Sequence, residues 1–303
     1  MTGFGINLHS KLVIKKIKVR KIFILFITTL FLTNCEDPIT QVKENIFSAQ
    51  DNALVENEFN STIEAMTDWV ATSKFYKKAN QIIPAGVIVI FKDSSFSDFN
   101  GIEGTIDFGP KGLTKPYGLL CSDGKYRAGK IHFLLNRPVE FPGSIFQMTM
   151  ESTDKFYSGT GEEMNLLSGN LSVENQDGLS LLIKAVKLKL EDEDENTMEW
   201  NCIRTIRMVK DAGKGIWRDV YSLEGTANGI NRNGEEFEVT IDQPLIKKME
   251  DGCSRTFVKG ILSIKNTAAN KNIRVDYDPN KDEACDNIAE ADINGKKTIF
   301  RIK

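Results

Sequence analysis

Histidine is nearly missing from this 303-residue chain: there are two, and one of them, His9, precedes a long apolar run near the N-terminus. Catalysis by Ser-His-Asp or Cys-His needs an imidazole placed as general base, so His132 in "GKIHFLL" is the one remaining position for it. There Ile131, Phe133 and Leu135 point one way and His132 shares the other face with Lys130, the pattern of a half-exposed strand histidine. No G-x-S-x-G elbow and no G-x-x-x-x-G-K-[ST] phosphate loop occurs, which disfavours nucleophile-elbow and P-loop chemistry. C-x-x-C is also absent, so a zinc cage lacks its usual ligands. No cofactor is called for.

Long hydrophobic runs are scarce too. The longest, "IFILFITTLFL" from Ile22 to Leu32, has 11 residues and as a helix would reach roughly 16 Å, about half the thickness a spanning segment must cross. Lys11, Lys15, Lys16, Lys18, Arg20 and Lys21 precede it with no acidic residue, giving the basic and apolar regions of a secretory signal. In place of an A-x-A cleavage site stand Leu32, Thr33, Asn34 and Cys35, which resemble the lipobox of bacterial lipoproteins. Cys35 is therefore expected to carry palmitate or similar acyl chains and to become the first mature residue. Two or three such chains anchor stably, at about 0.8 kcal/mol per buried methylene, where one is marginal.

Loss of residues 1–34 would leave 269 residues with 33 basic against 42 acidic groups, a formal charge of −9 instead of −3. That balance offers nothing to a phosphate backbone, and nucleic acid is excluded as an expected partner. Besides Cys35 the chain holds Cys121, Cys202, Cys253 and Cys285, an even number in a chain bound for an oxidising compartment. Cys253 and Cys285 sit at the edges of neighbouring strand candidates and are expected to pair; Cys121 and Cys202 are left unassigned.

Residues 35–47 have no sustained period and read as a tether. From Ser48 the pattern changes. Ser48 and Asp51 form an S-x-x-D capping signal, and Val55, Phe59, Ile63, Met66 and Val70 recur at helical spacing, with Thr62 and Trp69 in the same arc and Glu56, Glu64 and Asp68 outside it. This predicts an amphipathic helix within residues 48–76, packed on a sheet with its acidic face outward. After Pro84, Asn-Gly at 100, 228, 233 and 294 and Asp-Gly at 123, 177 and 251 supply hairpin-turn dipeptides. Between them lie runs rich in β-branched and aromatic residues, such as "AGVIVIF", "EFEVTI" and "KGILSI". The expectation is a mainly-β fold: an antiparallel meander of about ten to thirteen strands, sheet or sandwich, over residues 85–303. In "TMEWNCIRTIRMVK", polar Glu199, Asn201, Thr205 and Arg207 alternate with Trp200, Cys202, Ile206 and Met208, which suggests one wet and one packed face; Arg204 breaks the apolar side.

An internal repeat is visible in Ile106-Asp107-Phe108-Gly109 and Val275-Asp276-Tyr277-Asp278, each after a strand opened by Gly86 or Gly260. The combination "SAQDNALVENEF", "GTIDFGP", "SDGKYRAGKI", "EGTANGINRNGEEFEVTI" and "KGILSI…VDYD…CDN…INGKK" resembles a group of uncharacterised envelope lipoproteins from Bacteroidota, over most of the chain from about residue 48. The resemblance implies an outer-membrane lipoprotein with a mainly-β body and no assigned activity. In that group acids after the lipid cysteine accompany export to the cell surface, a position that Glu36 and Asp37 fill.

Site candidates remain few. A glycosidase needs two carboxylates a few ångströms apart, and Asp107 and Asp276 occupy matching places in the repeat. Asp276, Asp278, Asn280 and Asp282 have the early spacing of a calcium loop, but Lys281 stands where Gly belongs and Asn287 where a bidentate Glu belongs. "EDEDEN" from Glu191 to Asn196 reads as a solvated loop tip. Trp200, Trp217 and Tyr221 are the aromatic candidates for stacking a sugar ring. The leading reading is a non-enzymatic lipid-anchored module offering its sheet to an envelope or extracellular ligand, with glycan as the suggested class. The alternative is a surface glycan hydrolase with paired carboxylates. A concave pocket lined by acids would favour the second, a flat display surface the first.

Overall fold

The computed structural model describes residues 46–71, 85–211, 219–249, 257–267 and 270–302, with side chains of the helix described as far as Met66. Residues 1–45, with Cys35 and most of the expected tether, and also Trp217 and Cys253 lie outside the described residues; the last two tether positions are corrected, since Ile46 is buried in the core and Phe47 begins the helix. Among the described residues one helix, α1 (Phe47–Ala71), precedes sixteen strands. Thirteen of them form a continuous antiparallel path: β1 (Ile88–Asp93), β2 (Ile102–Asp107), β5 (Lys130–Leu135), β6 (Ile145–Met150), β8 (Met164–Asn175), β9 (Ser180–Glu191), β10 (Thr197–Lys210), β11 (Val220–Ile230), β12 (Glu236–Lys248), β13 (Lys259–Asn266), β14 (Lys271–Asp276), β15 (Ile288–Ile293) and β16 (Lys296–Arg301). The short strands β3 (Leu119–Leu120), β4 (Tyr126–Ala128) and β7 (Phe156–Gly159) form a flap branching from β8. The fold is thus the expected antiparallel meander, as one open sheet and not a sandwich of two.

Turn chemistry explains the succession of strands. Asn294 and Gly295 both have positive φ between β15 and β16, as a type I′ hairpin demands, and Asp-Gly at 123 and 177 and Asn-Gly at 233 also fall at turns. Asn228-Gly229 does not: it lies inside β11, where Gly229 faces β10 so closely that a Cβ would stand 2.1 Å from the Glu199 carbonyl oxygen. The dipeptide marks a close approach of strands there, not a reversal.

The long central strands carry register shifts between β8 and β9, β9 and β10, β11 and β12, and twice between β12 and β13. Bulges increase local twist and bend a strand. Gly225, at φ 124° opposite Arg204, has no room for a Cβ, which would meet the Ile203 carbonyl oxygen at 2.2 Å. The sheet so bent curves around α1, which contacts residues from Arg127 of β4 through to Asn266 of β13. Val55, Phe59, Ile63 and Met66 are buried as the helical period requires, but so are Asp51, Glu56 and Glu58. The expected outward acidic face is therefore corrected. A sheet curved around the helix leaves little of its circumference to solvent, and the acids survive burial because the inner wall supplies bases.

Candidate functional site

Four helix acids each meet a basic side chain from the sheet side. Asp51 binds Arg232 through its backbone amide and guanidinium, Glu56 lies 3.2 Å from Arg204 Nη2, Glu58 accepts from Lys125 Nζ at 2.6 Å, and Glu64 pairs with Lys247. Arg127 adds a fifth tie: it holds Asp123 with two hydrogen bonds of 2.7 and 2.9 Å and donates to the Ser61 carbonyl of α1. Burial by itself would raise the Asp123 pKa, yet the Arg127 hydrogen bonds and charge hold it below the usual carboxylate range. Ser48 and Asp51 do not cap α1 as their spacing suggests. Ser48 Oγ accepts from Asn231 Nδ2 at 2.9 Å while Asp51 takes Arg232, so both fasten the first turn of the helix to the β11–β12 hairpin.

Beside α1 a cavity of about 540 Å³ runs between the flap side of the sheet and its C-terminal strand. Its walls include Leu54 and Glu58 of the helix, Lys125 and Asn165 on one side, and Asn287 and Arg301 on the other; Glu163 and the acids of the β9–β10 loop, Asp192, Glu193 and Asp194, add negative charge. Glu58 is 3 % exposed. Its Oε1 accepts from Lys125 and, at 3.4 Å, from Asn165 Nδ2, but its buried Oε2 has no hydrogen-bond partner, and neither has Asn287 Oδ1. An unsatisfied buried acceptor costs about 1–3 kcal/mol, more when charged. Both residues line the cavity, while these two oxygens are themselves almost fully covered.

Trp200 is not a ligand platform. It is 2 % exposed, stacks on Phe59 with ring centroids 6.4 Å apart, and donates its Nε1 hydrogen to Asn52 Oδ1 at 3.0 Å. Its alternation on β10 points it inward, and the largest apolar side chain of the strand fills the space against the helix. Tyr221 is half-buried, hydrogen-bonded to Asp219, and pushed up to about 12 by burial and then by that carboxylate. Arg204, which broke the apolar alternation, does point into the core, where it meets Glu56.

Asp107 and Asp276 each end a strand in the same way: Asp107 Oδ1 accepts the Gly109 amide at 2.8 Å and Asp276 Oδ1 the Asp278 amide at 3.0 Å. They build matching turns on β2 and β14, far apart in the strand order, with one oxygen of each committed to a backbone amide. In the calcium-loop candidate, Asp278 Oδ1 accepts the amides of Asp282 and Glu283 and Asp282 Oδ1 that of Ala284. Those oxygens shape the turn, and Asp276, Asp278 and Asp282 do not converge as cation ligands. "EDEDEN" is the β9–β10 loop tip, as expected, and also a wall of the cavity. Cys121 and Cys202 are buried free thiols, with Cys202 raised to about 12 by burial; Cys285 is not among the free ones.

His132 lies on the convex face with Lys130. Thr105 Oγ1 is 2.9 Å from its Nδ1 and Asp154 Oδ2 is 2.6 Å from its Nε2. The order resembles a hydrolytic triad. However, β2 is paired on both sides, with β1 and β5, so the amides around Thr105 serve ladders and leave no oxyanion donors there. The cavity beside α1 lay beyond sequence reasoning because Glu58 and Asn287 are 229 positions apart and no local pattern marks either of them. No protein-family model, no curated protein and no solved structure matches the chain.

Proposed function

We propose that the chain is a lipid-anchored envelope protein, held at the outer membrane through Cys35, whose β body binds a small polyhydroxylated ligand such as a glycan fragment in the cavity beside α1. The observation that carries the binding role is a cavity of about 540 Å³ lined by the charged side chains of Lys125, Arg232 and Arg301 together with Glu163, Asp192 and Glu193, within the range of roughly 300–1,000 Å³ common for small-molecule sites. Hydroxyl groups both donate and accept. They suit a wall that carries the acids Glu163, Asp192 and Glu193 as well as the cations Lys125, Arg232 and Arg301. The anchor rests on the lipobox resemblance and the basic and apolar segments before it.

A second reading, a glycan hydrolase, is favoured by the carboxylates Glu58, Glu163 and Glu193 around one cavity. Glu58 is already committed to Lys125, which suits holding a ligand better than donating a proton to a leaving group. A panel of oligosaccharides assayed by thermal shift, with the sugars recovered and analysed afterwards, separates the readings. Binding predicts a raised Tm with intact sugar and loss of the shift in Glu58→Gln; cleaved sugar favours the hydrolase, and no shift across the panel removes both. Mass spectrometry of protein extracted from membranes without reductant tests the rest: an acylated Cys35 at the N-terminus and a peptide linking Cys253 to Cys285 are expected. An intact residue 1–34 segment, or a free thiol at Cys253 or Cys285, would contradict those assignments.

A further inference from the structure

We propose that His132, Glu151 and Asp154 form a second site, on the convex face, for a divalent transition-metal ion of the zinc class. This goes beyond the ligand cavity and does not depend on it. One ligand atom from each of the three side chains lies within 4.8 Å of the others, and among the described residues this is the one such group of three or more. The local fold explains the convergence. His132 sits mid-strand on β5, opposite Thr105 of β2 and Thr149 of β6. After β6 the Lys155 amide donates to the Glu151 carbonyl at 3.2 Å, closing a single helical turn that puts Glu151 and Asp154 on the same side.

The donor set decides the class of ion. One imidazole nitrogen with two carboxylates suits zinc and its neighbours, whereas calcium and magnesium favour oxygen alone. Thr105 at Nδ1 fixes the imidazole so that Nε2 faces Asp154, and metal-binding histidines are oriented by such a partner on the other nitrogen. Thr153 Oγ1 donates to Glu151 Oε2 at 3.4 Å. An open groove of about 490 Å³, lined by Thr105, His132, Thr149 and Glu151 among others, adjoins the cluster. Three protein ligands with open space beside them match sites that leave a coordination position free. Lys130 opposes the ion, with Nζ 3.8 Å from Asp154 Oδ1.

Calorimetric titration of the untagged full chain with zinc chloride tests the site. One saturable equivalent is expected, weakened at least tenfold in His132→Gln and in Glu151→Gln, tightened in Lys130→Ala, and not displaced by equimolar calcium. His132 is part-exposed, so these variants should keep the metal-free Tm; if one does not, X-ray absorption of the zinc-loaded wild type reads directly whether an imidazole nitrogen is bound. Absence of saturable zinc binding, equal affinity in His132→Gln, or an all-oxygen absorption spectrum would overturn the proposal.

Discussion

Arg204 shows how one side chain can report a whole environment. Within "TMEWNCIRTIRMVK" it stands on the apolar side of the alternation, an anomaly readable at once, and in the fold it is 2 % exposed beside Glu56. Its partner could not be read, because 148 positions separate them and Glu56 looked like part of a solvated helix face. Removing one member of a buried pair leaves the other charge stranded, at a cost of about 3–5 kcal/mol, whereas replacing both with apolar groups is often neutral or stabilising. Arg204→Leu is therefore expected to lower stability by about that much in urea unfolding, and Glu56→Leu with Arg204→Leu to recover most of it. If the double variant is as unstable as the single, the pair is not the reason for the loss. Trp200 errs the other way: an aromatic on a strand fits either core or sugar platform, and only the position of Phe59 and Asn52 against it decides for the core.

At the scale of elements, the hairpins were legible because Asn-Gly and Asp-Gly turns act locally, and the repeat was legible because Asp107 and Asp276 close their turns with the same bond to an amide two residues on. The placement of α1 was not. Its apolar period shows that Phe59 and Met66 are buried, but nothing local says that a sheet will bend through successive bulges and enclose the opposite face as well. The ties between α1 and the sheet make a pH prediction. Asp123, which fixes Arg127 under α1, has a depressed pKa in the fold. Its contribution is thus present above the ordinary carboxylate value of about 3.9 and is lost as pH falls through the lower folded value. Wild-type stability followed by urea midpoint should drop as pH falls below about 4, and Asp123→Asn should already be weakened at neutral pH and show a shallower fall. Parallel curves for the two proteins would show that Asp123 does not supply this dependence.

For the molecule as a whole, the sheet and helix form one body, Asn45–Lys303, with the expected lipid attachment ten residues before it. None of its described helices is long and apolar enough to cross a membrane. The basic inner wall neutralises the helix acids, and the sheet stays open, leaving a cavity beside α1 in place of a closed barrel. The acidic rim from the β9–β10 loop gives that cavity a net negative lining. This cavity is the proposed seat of a polyhydroxylated ligand. Leu54 lines it and is only part-buried, so Leu54→Trp should fill the space without disturbing the core. The most direct measurement is calorimetric titration of wild type and Leu54→Trp with the oligosaccharide that most raises the wild-type Tm: at least a tenfold loss of affinity at unchanged Tm is predicted, and equal affinity in the two proteins would contradict the account.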